Sequence, residues 1–157
     1  PQVILEIYSE DEKEFIVLGE PVIDRKNSVY CKHIEEGSLI KNINERIMEH
    51  KKNGYKSIAI IGKDIKECKE IEKQISKIRE DVKLIQGKDS KYNAGISVVP
   101  SYLAKGLEFD CVIIANANNE RYSNNSLDIK LLYVAITRAM SKLDIFYTNT
   151  KSKILPC

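Results

Sequence analysis

The sequence predicts a three-layer α/β fold built on a mostly parallel sheet. Short, nearly all-apolar runs, SIAII (57–61), ISVV (96–99) and CVIIA (111–115), read as strands buried on both faces. Amphipathic segments of helical period alternate with them, as crossover connections between parallel strands require. At 157 residues and 43% hydrophobic content, the chain can bury one substantial core.

Taken in order, residues 1–28 carry the weakest pattern. They include the charged run EDEKE (10–14), and FIVLGEPVI (15–23) reads as a short strand entering a turn at Gly19–Pro21. The segment is expected to be a linker or an edge addition to a main domain over 29–157. VYCKHI (29–34) is a strand. Gly37-Ser38 opens a helix to about Lys52, with Leu39, Ile40, Ile43, Ile47 and Met48 on one face, and Asn53-Gly54 ends it. After strand 57–61, a second helix over 64–79 places Ile65, Cys68, Ile71, Ile75 and Ile78 at three- and four-residue spacing. VKLI (82–85), ISVV and CVIIA follow as strands, then a helix over 127–140 and a last strand, LDIFY (143–147). Five or six strands are expected, with no internal repeat.

Charge excludes a simple electrostatic nucleic-acid binder. The 25 basic and 23 acidic residues leave a formal charge of +2, a mixed surface on which only a local positive face is possible. Cys31, Cys68, Cys111 and Cys157 are scattered, and neither His33 nor His50 completes a zinc spacing, so reduced thiols in a cytoplasmic protein are expected. No apolar run approaches the length of a membrane span. A chain beginning at Pro1 fits a piece of something longer.

Two Lys-Gly neighbourhoods invite a phosphate-loop reading, and both fail. Neither Gly62-Lys63-Asp64 nor Gly87-Lys88-Asp89 continues into Ser or Thr, and Ser57 and Val82 stand where the first glycine belongs. What remains is a dispersed set. Lys63 follows a strand end, where ligand groups gather in open α/β sheets. Lys105, Gly106, Glu108 and Asp110 precede or enter the CVIIA strand. Arg138 closes a helix, where it reads equally as a cation held by the helix dipole; Glu108 and Asp110 read equally as strand-entry carboxylates, and Tyr102 and Tyr133 as half-buried aromatics.

The runs VVPSYLAKGLEFD (98–110), YLAKGLEFDCVII (102–114) and LLYVAITRAMSKL (131–143) resemble the last two motifs of superfamily 1 DNA helicases of the UvrD/Rep/PcrA type, closest to the helicase IV and HelD-like branch. The resemblance covers roughly 96–147, holds more loosely over 57–85 and carries little over 1–50. It implies the second, C-terminal RecA-like domain of such a helicase, a P-loop NTPase fold lacking its own P-loop. ATP and Mg²⁺ would be bound mainly by the N-terminal RecA-like domain of the same parent chain. Arg138 would be the arginine finger and Lys63 a second γ-phosphate cation, where relatives carry arginine. Gly106 would allow the loop to approach the nucleotide, Glu108 would accept from its ribose, and Tyr133 would contact nucleotide or the facing domain. Thr137 would orient Arg138, and Ser101, Tyr102 and Lys105 would lie along a single-stranded DNA track.

Two departures accompany the resemblance. The His that such proteins carry before Lys-Gly is absent, and only GKDSKYNAG (87–95) stands where processive relatives insert a large accessory domain. The implied function is the C-terminal half of an ATP-dependent helicase or translocase, catalytically inactive by itself. The alternative is a protein-interaction module that remodels RNA polymerase.

Overall fold

A computed structural model describes residues 6–9, 14–17, 29–87 and 95–155. Six strands form one parallel sheet: β3 (Val29–His33), β4 (Ile58–Gly62), β5 (Val82–Leu84), β6 (Ile96–Pro100), β7 (Phe109–Ile114) and β8 (Ala139–Tyr147). Their spatial order is β3-β8-β7-β4-β6-β5. A separate antiparallel pair, β1 (Glu6–Ser9) and β2 (Glu14–Val17), lies in the N-terminal segment. The expected turn at Gly19–Pro21 lies outside the described residues.

The apolar runs occupy the centre. Every residue of β4 and of β6 is buried, Ser97 included, as parallel strands covered on both faces are. Alternation along β4 then divides the core. Ile58 and Ile60 face α1 (Leu39–Lys52) and α2 (Ile65–Ile75), meeting Ile43, Ile47, Cys68, Ile71 and Ile75. Ala59 and Ile61 face α3 (Ser126–Thr137), meeting Ile129, Leu132, Ala135 and Ile136. The expected three layers are the observed ones. Burial pushes the thiols of Cys68 and Cys111 up to about 12, so both pack as small apolar groups.

Several boundaries differ from expectation for identifiable reasons. α2 stops at Ile75, and Ile78, expected on the buried face, is 57% exposed in the turn beyond it. Met48 is likewise 58% exposed, because the sheet-facing side of α1 also buries Asn42 and His50. His50 Nε2 lies 2.6 Å from Asp144 Oδ2 in the middle of β8, and Arg46 reaches the other oxygen at 3.2 Å, so a polar clamp holds α1 to the sheet. The predicted helix over 127–140 ends at Thr137, and Ala139 already pairs with Phe109 in the ladder. The carbonyl of Arg138 accepts the amide of Phe109 at 2.9 Å, so sheet pairing overrides a helical spacing that continued through Ala139 and Met140.

Gly62 ends β4 where α2 folds back closely. A Cβ there would stand 2.8 Å from Cys68 Sγ and 3.0 Å from Glu67 Oε1. We expect Gly62→Ala to lower stability by about 1–3 kcal/mol. Cys68→Ala in the same chain should recover part of the loss in denaturant melts, since it removes the nearest obstructing atom.

Candidate functional site

Because every strand in the main sheet runs the same way, the sheet has an entry edge and an exit edge, and the predicted residues divide between them. β7 begins beside Ala139 and ends beside Ile145, so the edges lie roughly 17 Å apart at about 3.3 Å per residue.

At the entry edge stand Lys105, Gly106, Glu108 and Arg138. Ala104 accepts the amide of Leu107 at 3.0 Å, closing a turn in which Gly106 has φ 85°. This is the left-handed region that glycine occupies without a Cβ penalty. No atom lies within 4 Å of a Cβ built there, so conformation, not crowding, demands the glycine and leaves the turn open on its outer side. Lys105 and Glu108 are exposed beside it.

Arg138 caps α3 from inside this turn. Its Nε donates to the Val134 carbonyl at 3.1 Å, Nη2 to Thr137 Oγ1 at 3.1 Å, and Nη1 to the Leu107 carbonyl at 3.4 Å. Thr137 Oγ1 lies 2.9 Å from the carbonyls of both Tyr133 and Val134, which fixes the hydroxyl that receives the guanidinium. Thr137 thus holds the fork, as the sequence suggested. Tyr133 is half-buried against the α3-side core.

The exit edge holds Lys63, Ser101 and Tyr102. Lys63 is therefore not beside Arg138: the length of the sheet separates them, and the fold of this chain does not bring the two cations together. Its ammonium meets Asp128 Oδ1 at 2.9 Å, in the first turn of α3, and donates to the Arg121 carbonyl. Asp128 also accepts from the Ser123 amide at 2.8 Å and from Asn125, which caps the helix. Ser101 is fully buried and donates to the Lys63 carbonyl at 2.7 Å, so it fixes the loop and does not face outward as a strand contact would. Tyr102, next to it, is 52% exposed.

Sequence reasoning missed the charges between these points. Glu67 is buried, accepts the Lys63 amide at 2.7 Å and pairs with Arg121 at 2.9 Å. The Asp64-x-x-Glu67 spacing of a capping box was the available signal, with Asp64 accepting the Glu67 amide at 2.9 Å. Burial pushes the Glu67 carboxyl up, and Arg121 only partly opposes it. Burial also pushes Asp128 up, but the bonds from Lys63, Ser123 and Asn125 outweigh it and hold the carboxyl below its ordinary value. Among the described residues no group of three or more His, Cys, Asp or Glu could hold a metal ion, and no helix is long and apolar enough to cross a membrane.

A parallel α/β domain without a phosphate loop, carrying an arginine at a helix end beside an open Lys-Gly turn, has the form of the second RecA-like domain of a helicase. The UvrD-like helicase C-terminal domain family matches residues 95–145, the stretch that contains both the turn and the arginine. The C-terminal domain of a possible DNA helicase from Lactobacillus plantarum WCFS1 is 33% identical, with a TM-score of 0.70 over 82% of this chain and 78% of that one. The chain belongs to the UvrD-like helicase C-terminal domain family. Domain 2 of the DEAD-box helicase Mss116p, solved bound to an RNA duplex, shares the fold at 14% identity, with a TM-score of 0.52 over 78% of this chain and 55% of that one. Arterivirus nonstructural protein 10, a helicase solved with DNA, does so at 9% identity, with a TM-score of 0.53 over 99% of this chain and 42% of that one. No curated protein sequence matches it.

Two outcomes are expected. Gly106→Ala should cost about 1–2 kcal/mol in a denaturant melt, because its strain is local and left-handed. Asp128→Asn should flatten the acid limb of the stability profile. The folded carboxyl titrates below 3.8, so its contribution is complete above that value and is lost as pH falls through the lower folded one. Glu67 acts oppositely, since its folded value lies above 4.5 and stability falls as pH rises between the two. Melts of the variant and the parent sequence across acidic pH separate the two contributions.

Proposed function

We propose that this chain is the C-terminal RecA-like half of an ATP-dependent DNA helicase or translocase, and that its entry edge faces a nucleotide held by the N-terminal RecA-like domain of the same parent chain. The observation that carries the reading is Arg138, a forked cation poised at a helix end against the Lys105–Gly106 turn. Among the described residues its bonds there go to the carbonyls of Val134 and Leu107 and to the Thr137 hydroxyl, and a phosphoryl oxygen is a stronger partner than any of these. The relative at 33% identity, itself the C-terminal domain of a possible DNA helicase, supports the choice of substrate.

In this reading ATP draws the two domains together, and Arg138 leaves its helix carbonyls for the γ-phosphate. The guanidinium then neutralises charge that spreads over the equatorial oxygens during transfer. Glu108 accepts from the ribose, the Gly106 turn admits the nucleotide, and Tyr133 supports the facing domain. Mg²⁺ belongs to the other domain's carboxylates, and when bound with ATP it offsets phosphate charge. Tyr102, exposed at the far edge, offers an aromatic face to a single strand, with Lys105 further along the same loop. The VVPSYLAKGLEFD run supports a parent of the helicase IV and HelD-like branch, and the short GKDSKYNAG connection supports a compact translocase.

The test is steady-state ATP turnover of the full-length parent with and without single-stranded DNA. Arg138→Ala should lower kcat by roughly 10³–10⁵ with little change in KM, the range of other arginine fingers, and Arg138→Lys should not restore it because the fork is lost. Normal turnover in a folded Arg138→Ala variant would make the arginine a helix cap alone. The isolated chain should show no turnover above blank, and robust hydrolysis by it would overturn the assignment.

A further inference from the structure

The exit-edge charges have no place in that chemistry, yet the carboxylates of Glu67 and Asp128 are buried and each is paired with a partly exposed cation. Lys63 joins two segments that both begin at the exit edge. Its carbonyl receives the hydroxyl of Ser101, where the loop 101–108 starts. Its ammonium holds Asp128, in the first turn of α3. The two segments then run together to the entry edge. α3 has 12 residues, about 18 Å at roughly 1.5 Å per residue, which matches the span of the sheet. Leu103 and Leu107 of the loop pack into the same core as Leu132, Ala135 and Ile136 of the helix.

At the entry edge the same two segments meet again on Arg138. Its guanidinium takes the Leu107 carbonyl, and its own carbonyl takes the amide of Phe109, where the loop becomes β7. Loop and helix are thus two struts of a closed frame, tied by Lys63 at one end and by Arg138 at the other. Tyr102 stands on the loop strut, one residue from the Lys63 tie and 52% exposed.

The geometry points to Lys63 as a positioning residue that couples the strand-facing end of this frame to the nucleotide-facing end. The inference rests on the proposed function. A strand stacked on Tyr102 displaces the start of the loop, and that displacement reaches Leu107, whose carbonyl is one of the three acceptors of the Arg138 guanidinium at rest. It does so only while the Lys63 tie keeps the start of α3 fixed as the opposing strut. Without the tie, the loop shifts against a helix that yields with it, and Arg138 receives no relative motion. Lys63 itself touches neither strand nor phosphate.

The experiment uses the full-length parent and an oligothymidine single strand. In Lys63→Met, basal turnover should stay within about twofold, while the ratio of DNA-stimulated to basal turnover falls by about tenfold or more, as expected for the loss of one coupling contact. Affinity for the oligonucleotide should be unchanged. Lys63→Arg, which keeps charge and reach, should restore the ratio. Lys63→Met with Asp128→Asn, which leaves no lone buried carboxylate, should show the same split as Lys63→Met and guards against simple misfolding. Intact stimulation in both Met variants overturns the coupling, as does an equal fall in basal and stimulated turnover in the double variant. Turnover that survives Arg138→Ala overturns the functional reading instead, which separates the two failures.

Discussion

In a sheet whose six strands all run one way, each connection must carry the chain back over the full length of a strand before the next can begin. That constraint shapes everything around the sheet. It requires α1, α2 and α3 as return segments, buries the central strands between them, and gives the domain two chemically distinct edges. The connection from β6 to β7 makes the return with a single 3₁₀ turn, Ser101–Leu103, and an extended loop. It therefore shows residues to both edges within eight positions, Tyr102 at one and Lys105–Glu108 at the other.

Burial beneath such connections brings charges that water cannot solvate, and each is answered by a partner. His50 and Arg46 share Asp144 under α1, and Lys63 and Arg121 answer Asp128 and Glu67 at the exit edge. Such pairs contribute less to stability than their Coulomb attraction suggests, because both ions lose hydration. Their consequence is geometric. Asp144 sets where α1 sits along β8, and Asp128 sets where α3 starts, which in turn decides where its other end presents Arg138.

The legible part of the structure was the part that repeats locally. Ile58 to Ile61 and Ile96 to Val99 announce strands because two-faced burial leaves almost no polar positions, Ser97 being the exception, and Cys68, Ile71 and Ile75 announce a helix face. The end of α3 was not legible, since Ala139 and Met140 continue a helical spacing and only their pairing with β7 removes them from it. Ile78 misled for the same reason: its spacing fits the helix, but nothing remains at that height for it to cover. Of the site, Arg138, Thr137 and Gly106 carried a local signal. Lys63 was found by its place after a strand, but its pairing with Asp128 was not.

By itself the sequence determined the layer architecture, the order of strands and helices along the chain, the absence of a phosphate loop among its Lys-Gly pairs, and the turn that only glycine at 106 accommodates. These follow from hydrophobic period and backbone conformational limits, which act over a few residues. Tertiary structure alone decided which residues share an edge. It put Lys63 against Asp128, some 17 Å from Arg138 by the rise of the strands, buried Ser101 beneath its own loop, and gave Asp144 its histidine. Those outcomes depend on the parallel direction and order of strands far apart in the chain, and no local spacing records them.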